Sequence, residues 1–439
     1  MQFLQVIESS DVAERVKAGE QTSQDGRRLK ILISAYACVP GMSSEPGVGW
    51  LSVGQAARRH EVWVLTNGEF KEEIEQELAL NPMPNVHWIF VDVPSRLTSF
   101  WKKGERGRRI HYNLWQYWAY RAAKELHQIE RFDVVHHVTF VSYWTPSYLS
   151  LLDAPFIWGP VGGGDSTPFS YYSTLSWKSR IAEVIRDVFR GVSEIIDPFI
   201  AMTARRAAVA LATTEGTAKK MRRLGARNVG IMNEAALTME TIETVQKPNR
   251  HGQKPFRVIS IGRLIGWKGY HLGVEAVVKM HQQFPDVEYH ILGTGVEADR
   301  LKAQIAALGA ESYIHLDGYL SRDEVLQKLL DCNVLLHPSL HDSGSWVCME
   351  AMAAGLPVVC LRLGGPATIV DDESGFRPSG ENPQRSIDEM AEALVTLAHN
   401  PELAARMGEA ARRRIHEHFT WPKKGDIYDQ IYRELVKTR

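Results

Sequence analysis

The sequence has few cysteines and almost no net charge. Only four cysteines occur in 439 residues, and 51 Lys and Arg against 52 Asp and Glu leave a formal charge of −1. None of the cysteines forms a CxxC pair or has the Cys/His spacing of a zinc site, which argues against a disulfide scaffold and a metal centre. The balanced charge gives no global field for nucleic acid. We therefore expect a cytoplasmic protein with reduced core thiols, in which local groups hold any bound anion.

Long apolar runs are also missing. No stretch reaches the roughly 18 uninterrupted apolar residues of a membrane span, and the N-terminus lacks the basic start and apolar core of a signal peptide. The sequence therefore predicts a soluble protein whose membrane contact, if any, is peripheral and at the inner face.

Short apolar runs alternate with amphipathic stretches along the chain. Runs such as "LKILISAY", "FDVVHHVTF", "FRVISIGRL" and "NVLLHPS" are typical of buried parallel strands, and the stretches between them have helical spacing. This βαβ pattern predicts an α/β protein with two doubly wound domains. The predicted segments are a mobile lead over 1–28, a first domain over 29–245, a linker over 246–255, a second domain over 256–420, and a C-terminal helix over 421–439.

Two glycine-rich loops follow strands of the first domain. Ligands of such sheets bind beyond the carboxyl ends of the strands. "SEPGVGW", with Glu45, Gly47 and Gly49, is either an acceptor or phosphate loop or a plain glycine turn. "WGPVGGG", with Gly162 and Gly163, is either a ligand-facing turn or a packing turn.

Two histidines lie toward the end of a buried strand. Neutral His136 or His137 could hydrogen-bond a sugar hydroxyl, or could be satisfied by groups of the core. Because neighbouring strand residues point to opposite faces, only one of them is expected to face a ligand.

The second domain offers cations and a helix start after two strands. Arg263 and Lys268 flank a glycine-bearing loop in "IGRLIGWKGYH" and suit a diphosphate, the alternative being two solvated surface charges. In "HDSGSWVCMEAMAAG", Ser343, Gly344 and Ser345 open a helix whose free N–H groups can hold phosphate. One acidic residue precedes this helix start and another follows it. Glu350 can bind a ribose diol, and Asp342 is either a ligand or an N-cap.

These motifs, together with "HILGTG" and "IHLDGYL", make the second domain resemble the retaining, nucleotide-sugar-dependent glycosyltransferases of family 4 (group 1), of bacterial type. The resemblance implies the GT-B architecture, in which two Rossmann-like domains face a central cleft and the C-terminal helix crosses back to the first domain. It implies catalytic roles for His136 or His137, Asp342, Arg263 and Lys268. The donor-binding residues that it implies are Arg263, Lys268, Gly293, Tyr319, Leu320, Ser343, Gly344, Ser345 and Glu350.

One departure concerns the sugar contact. The family usually has Glu at the first position of its E-x7-E pattern, where this chain has Asp342, one methylene shorter. The resemblance implies transfer of a sugar from a UDP-sugar, or from a GDP-sugar, to a hydroxyl of a glycan, a lipid-linked acceptor or a small molecule, without metal or other cofactor. The alternatives are a nucleotide-sugar epimerase and a non-catalytic nucleotide-sugar-binding protein.

Residues 95–121 combine basic and aromatic side chains, including Lys102, Lys103, Trp115 and Trp118. Such a surface could dock a lipid-linked acceptor at an anionic membrane. The alternative is a solvated loop followed by a helix whose tryptophans belong to the core.

Overall fold

The computed structural model describes residues 27–42, 44–94, 104–245 and 252–438. The chain forms two compact units. Unit 1 comprises residues up to 164, residues 190–234 and residues 421–439, and unit 2 comprises residues 165–189 and 235–420. Most of the predicted lead and residues 246–251 of the predicted linker lie outside the described residues.

Unit 1 contains a parallel sheet of seven strands in the order β3-β2-β1-β4-β5-β6-β7. The strands are β1 Lys30–Ser34, β2 Glu61–Asn67, β3 Val86–Val91, β4 Val134–His137, β5 Phe156–Val161, β6 Ala207–Ala212 and β7 Val229–Ile231. Five of its helices are α1 Glu45–Ala57, α2 Lys71–Leu80, α3 Gly104–Glu130, α5 Pro198–Arg206 and α6 Glu215–Leu224. Nearly all strand residues of β1 and β4 to β6 are buried, as expected of a sheet covered on both faces.

Unit 2 contains a second parallel sheet, with six strands in the order β10-β9-β8-β11-β12-β13. The strands are β8 Phe256–Ile261, β9 Val287–Leu292, β10 Ile314–Gly318, β11 Val334–His337, β12 Val358–Cys360 and β13 Gly375–Phe376. Its helices are α7 Met239–Thr244, α8 Tyr270–Gln283, α9 Ala298–Ala307, α10 Arg322–Leu330, α11 Trp346–Ala353, α12 Pro366–Ile369, α13 Pro383–His399 and α14 Pro401–His418. Both sheets confirm the predicted α/β class.

Residues 165–189 and 235–245 belong to unit 2, whereas the sequence pattern assigned both segments to the first domain, 29–245. In the second segment, Leu237 and Ile242 are buried in an apolar core with other residues of unit 2. The cause is local packing. Tyr171 and Leu175 are buried in the apolar core of unit 2, and the Tyr171 hydroxyl lies 2.6 Å from Ser386 Oγ. Helix α4, Trp177–Ile196, continues from this segment, and the division between the units falls within it, after Phe189.

The C-terminal helix α15, Trp421–Lys437, is part of unit 1. Tyr428 and Tyr432 are buried, and the Tyr432 hydroxyl lies 2.7 Å from His136 Nδ1 on β4. Lys424 is also buried and donates to the Asn233 carbonyl at 2.7 Å. The last helix therefore completes the core that the first strands begin.

Each helix in the described part of the chain is too short or too polar to span a bilayer.

Candidate active site

Two loops of unit 2 meet where the strand order of its sheet reverses. Strand β11 lies beside β8, with Val334 opposite Val258, so the loops that leave their carboxyl ends are neighbours. The Leu340 N–H in the loop after β11 donates to the Trp267 carbonyl in the loop after β8 at 2.8 Å. Such a reversal is where open parallel sheets bind ligands.

The reversal brings together a lysine, an aspartate and a histidine. Lys268 Nζ lies 2.5 Å from Asp342 Oδ2, and His337 Nε2 lies 3.3 Å from the same oxygen. The Lys268 and Asp342 side chains are 13% and 15% exposed, and His337 is buried at the end of β11. Both contacts are to Oδ2, and Asp342 Oδ1 has no hydrogen bond to any described side chain. One carboxylate oxygen is thus fixed while the other stays available.

The electrostatics of this cluster favour an ionised aspartate. Burial by itself would raise the pKa of Asp342, but the Lys268 ammonium and the His337 ring outweigh it and hold that pKa well below its usual range. Burial lowers the pKa of His337, against the pull of Asp342. At neutral pH the cluster is therefore a lysine cation and a carboxylate beside a neutral imidazole.

Helix α11 begins directly after this cluster. Its N-cap residue Ser345 has a left-handed backbone (φ 46°) and makes no side-chain capping bond. Ser345 is 5% exposed, and its Oγ has no hydrogen-bond partner among the described residues. The first turn of the helix thus combines free backbone N–H groups with an unpartnered hydroxyl, as an anion site requires.

Two glycines pack closely against the loop that leads into α11. A Cβ at Gly364 would lie 2.5 Å from the Asp342 carbonyl oxygen, and one at Gly365 would lie 2.1 Å from that of Ser343. The Gly365 N–H donates to the Asp342 carbonyl at 2.7 Å. Close backbone packing therefore fixes the loop from Asp342 to Ser343.

Glu350 lies one turn into α11 and is paired with an arginine. It is 6% exposed, and its Oε1 lies 2.8 Å from Arg322 Nη1 at the start of α10. Burial raises the pKa of Glu350, and Arg322 offsets part of this effect. A buried carboxylate with one exposed counter-ion is costly for the fold, which is common in binding sites.

The remaining predicted donor residues lie at carboxyl ends of strands in the same sheet. Arg263 follows β8 and is exposed, and its side chain makes no hydrogen bond or ion pair with the described residues. Gly293 follows β9 with φ +135°, and a Cβ there would lie 2.0 Å from the Gly262 carbonyl oxygen. Tyr319, 78% exposed, and Leu320 follow β10 and precede Arg322. Close packing against the Gly262 carbonyl thus explains why residue 293 is a glycine. No comparable contact among the described residues explains the arginine at position 263.

In unit 1, His136 and His137 are fully packed. His136 contacts the Tyr432 hydroxyl and the Gly159 carbonyl, each at 2.7 Å, through its two ring nitrogens. His137 Nε2 lies 3.0 Å from the Tyr112 hydroxyl. Burial lowers the pKa of His136 to about 4 and that of His137 to about 3, so both are neutral at pH 7. These contacts favour the core interpretation for His136 in particular.

The glycines of unit 1 are explained by packing against backbone or rings. A Cβ at Gly47 would lie 1.8 Å from the Met42 carbonyl oxygen, and one at Gly49 would lie 2.3 Å from that of Ala37. A Cβ at Gly163 would lie 2.1 Å from the Trp144 ring. Gly162 pairs with Ser142 in an isolated β-bridge. Glu45, at the start of α1, accepts a hydrogen bond from the Phe140 N–H.

We expect Gly47→Ala and Gly49→Ala each to lower the free energy of unfolding by about 1–3 kcal/mol, because the new methyl groups meet fixed carbonyl oxygens. Gly54→Ala is the matched control, since it lies in the same helix α1 with no atom within 4 Å of its Cβ position. It should stabilise by about 0.5–1 kcal/mol. Scanning calorimetry measures both effects, and equal melting temperatures for all three variants would contradict the packing explanation.

Two further residues contact the candidate acids and were not among the predicted site residues. His337 ends β11 and contacts Asp342, and Arg322 begins α10 and pairs with Glu350. Both residues lie at or just beyond the carboxyl end of a strand, and this position is the sequence feature that could have identified them as candidates. Nothing in the spacing alone says which acid each would contact.

The predicted membrane surface at 95–121 is described only from Gly104, where α3 begins; residues 95–103 lie outside the described residues. Trp115 is fully buried and donates from its indole N–H to the Val91 carbonyl at 3.0 Å. Trp118 is partly buried against the same core. For these two tryptophans the core alternative is correct.

Comparison with known proteins shows which family the second half of the chain resembles. Residues 241–414 match the model of the family described as glycosyl transferases group 1. D-inositol 3-phosphate glycosyltransferase of Corynebacterium glutamicum is 27% identical over 186 residues, which are 41% of this chain and 43% of that protein. The match thus spans less than half of the curated relative.

Similarity of fold extends over nearly the whole chain. The Anabaena HepE structure in complex with UDP and glucose has a TM-score of 0.57 at 18% identity, covering 93% of this chain and all of that one. Sucrose-phosphate synthase from Thermosynechococcus elongatus has a TM-score of 0.60 at 16% identity, covering 94% of this chain and all of that one. These similarities confirm the predicted GT-B fold. Lys268, Asp342 and Glu350 thus lie within the part of the chain, residues 241–414, that matches the model of the glycosyl transferases group 1 family.

Proposed function

We propose that this protein is a retaining glycosyltransferase of family 4 that moves a sugar from a nucleotide-diphosphate sugar to an acceptor hydroxyl. The observation that carries the proposal is the meeting of Lys268, Asp342 and the start of α11 at the reversal of the sheet order in unit 2. A UDP-sugar is the favoured donor and a GDP-sugar the second choice. Support for UDP comes from the similar fold of HepE, whose structure holds UDP and glucose.

The donor diphosphate is proposed to bind between the two loops. Positive charge comes from two sides: from Lys268 and Arg263 on one, and from the N–H groups at the start of α11 on the other. The Arg263 side chain is available for this role because it has no hydrogen bond or ion pair with a described residue. The unpartnered Ser345 hydroxyl adds a donor for a phosphate oxygen. No metal ion is needed in this arrangement, because protein groups neutralise the leaving group.

The two acids are proposed to hold the two ends of the donor. Glu350 accepts hydrogen bonds from the ribose diol, and the base lies near Tyr319 and Leu320. Asp342 binds the sugar through Oδ1, since Lys268 and His337 occupy Oδ2. The shorter aspartate thus keeps its contact with Lys268 while presenting one oxygen to the sugar.

In the proposed reaction the bond between the anomeric carbon and the diphosphate oxygen breaks, and a bond from that carbon to the acceptor oxygen forms. The electron pair of the broken bond goes to the diphosphate. The acceptor proton goes to a phosphate oxygen of the leaving group on the same face, which retains the configuration. Positive charge on the sugar and negative charge on the diphosphate both grow in the transition state, so Arg263 and Lys268 act most strongly there.

The acceptor is proposed to be a hydroxyl of a glycan, a lipid-linked sugar or a small molecule in glycan biosynthesis. The proposed location is the cytoplasm. All four cysteines are buried and none forms a disulfide, which is consistent with a reducing compartment.

The test is a donor screen on the full-length protein followed by one substitution. UDP-, GDP- and ADP-sugars are compared for thermal stabilisation and for slow donor hydrolysis. Arg263→Ala should lower the hydrolysis rate of the best donor by about 10²- to 10³-fold, because a cation at the leaving group is lost. Its melting temperature should not change, since the exposed Arg263 side chain makes no hydrogen bond or ion pair with the described residues.

Arg406→Ala is the matched control, because Arg406 is an exposed arginine of unit 2 on α14. It should keep full activity. A normal rate for Arg263→Ala would remove Arg263 from the site. Isomerisation of the donor sugar without acceptor would indicate an epimerase instead, and nucleotide binding without any turnover would indicate a non-catalytic binding protein.

A further inference from the structure

Helix α4 exposes a continuous apolar face. Six large hydrophobic side chains in the part of the helix that belongs to unit 2 are between 46% and 67% exposed: Trp177, Ile181, Val184, Ile185, Val188 and Phe189. At 3.6 residues per turn these positions fall within an arc of about 140°. An exposed apolar surface of this size on one helix is rare in a monomer and indicates an interaction site.

The opposite side of α4 holds its carboxylates against the protein. Glu183 is buried and accepts a hydrogen bond from Thr167 Oγ1 at 2.7 Å. Asp187 accepts one from Ser166 Oγ at 2.8 Å, and Glu194 pairs with Lys220 at 2.8 Å. Each acid of the helix therefore has a partner on the side away from the apolar face.

The exposed charges of α4 are both cationic. Among its charged residues only Lys178 and Arg180 are exposed, because Arg186 is partly buried and Arg190 is buried against the Trp144 ring. At 100° per residue, Lys178 falls at one margin of the apolar arc and Arg180 just beyond the other. Trp177, with its ring under the Lys178 ammonium at 5.7 Å, stands at the start of the helix.

We propose that α4 docks this protein on an anionic lipid surface. An apolar helix face with basic residues at its margins and a tryptophan at its end is the pattern of helices that lie in the plane of a membrane interface. The charge of α4 favours a lipid surface as the partner, because the exposed charged side chains of this helix are both cations, which complement anionic headgroups. This proposal concerns a different segment of the sequence from residues 95–121 and does not depend on the proposed glycosyl transfer.

Flotation of the full-length protein with vesicles tests the proposal. The protein should float with phosphatidylcholine vesicles that contain phosphatidylglycerol, and much less with phosphatidylcholine alone or at high salt. Ile181→Ser/Ile185→Ser/Val188→Ser should reduce the floated fraction at least about tenfold. Lys178→Glu/Arg180→Glu should reduce flotation with the anionic vesicles selectively.

Leu80→Ser/Ile129→Ser is the matched control, because these side chains are 78% and 77% exposed on other helices. It should float like the wild type. All variants should keep the wild-type melting temperature and the thermal shift with the preferred nucleotide, so loss of flotation is separable from misfolding and from failure of the proposed function.

Three results would overturn the proposal. The first is a wild-type protein that stays unbound with anionic vesicles. The second is an equal loss of flotation in the control variant. The third is a wild-type dimer by light scattering that the α4 triple variant converts to a monomer without any vesicle binding, which would assign the face to a second copy of the chain.

Discussion

Lys268→Met is expected to lower the rate of donor turnover by about 10²- to 10³-fold, because it removes a cation from the proposed leaving group. The same change should lower the free energy of unfolding by about 3 kcal/mol, since it leaves Asp342 partly buried without its ammonium partner at 2.5 Å. Donor hydrolysis and scanning calorimetry measure the two effects. If Lys268 acted only on the substrate, the substitution would lower donor turnover without lowering the free energy of unfolding.

The stability loss should depend on pH with a defined sign. In the wild type the pKa of Asp342 is below its usual value, so the pair stabilises the fold above about pH 4 and this contribution disappears as the pH falls further. In Lys268→Met the pKa of Asp342 rises, because burial is no longer opposed by the ammonium. The two proteins should therefore differ most in stability at neutral pH and converge in acid.

Lys279→Met provides the control for this experiment. Lys279 pairs with Asp388 on the surface of unit 2, where both side chains are well exposed. Its loss should cost no more than about 1 kcal/mol and leave turnover unchanged. If Lys268→Met were as stable as this control across the pH range, the cluster would not be held together by charge.

Glu350→Gln is expected to weaken binding of the donor nucleotide by about 10- to 100-fold, because a charged acceptor for the ribose diol becomes a neutral one. Titration calorimetry with the preferred nucleoside diphosphate measures this loss. The free base should bind the variant and the wild type equally, since Glu350 is assigned to the ribose. Unchanged affinity for the diphosphate would remove Glu350 from the proposed site.

The same substitution should not destabilise the fold. Burial raises the pKa of Glu350, so the ionised carboxylate opposes folding as the pH rises through that pKa, and glutamine removes this cost at neutral pH. Arg322 loses a partner, but its side chain is 44% exposed and water can replace the carboxylate. We expect a melting temperature equal to or above that of the wild type.

Glu373→Gln is the corresponding control. Glu373 pairs with Arg413, and both side chains are more than half exposed. The variant should keep wild-type affinity and stability. A fall in stability for Glu350→Gln alone would mean that the Arg322 pair contributes more than the burial of the carboxylate costs.

The sequence predicts this fold well because parallel strands buried on both faces appear as apolar runs. "LKILISAY" contains β1, Lys30–Ser34, and "NVLLHPS" contains β11, Val334–His337. Strands β12 and β13, of 3 and 2 residues, are too short to give such a pattern. The site in unit 2 is largely predictable for a related reason, since Lys268 and Asp342 both follow strands at the same edge of one sheet.

What the sequence could not predict depends on contacts between distant segments. Gly47, Gly49 and Gly163 are explained by carbonyl oxygens and a ring that their own flanking residues do not reveal. His136 finds its partner 296 residues further along, at Tyr432. The same holds for residues 165–189, whose attachment to unit 2 depends on Tyr171 reaching Ser386.

The attachment of α15 to unit 1 has a consequence for synthesis. Lys424, Tyr428 and Tyr432 reach the ribosome exit only after all of unit 2 has been made, yet they fill the core around β4. At roughly 5–20 residues per second, the first sheet waits on the order of tens of seconds for its last helix. The amino-terminal strands thus have to remain competent to fold during that interval, and unit 2 is the first unit whose chain is complete.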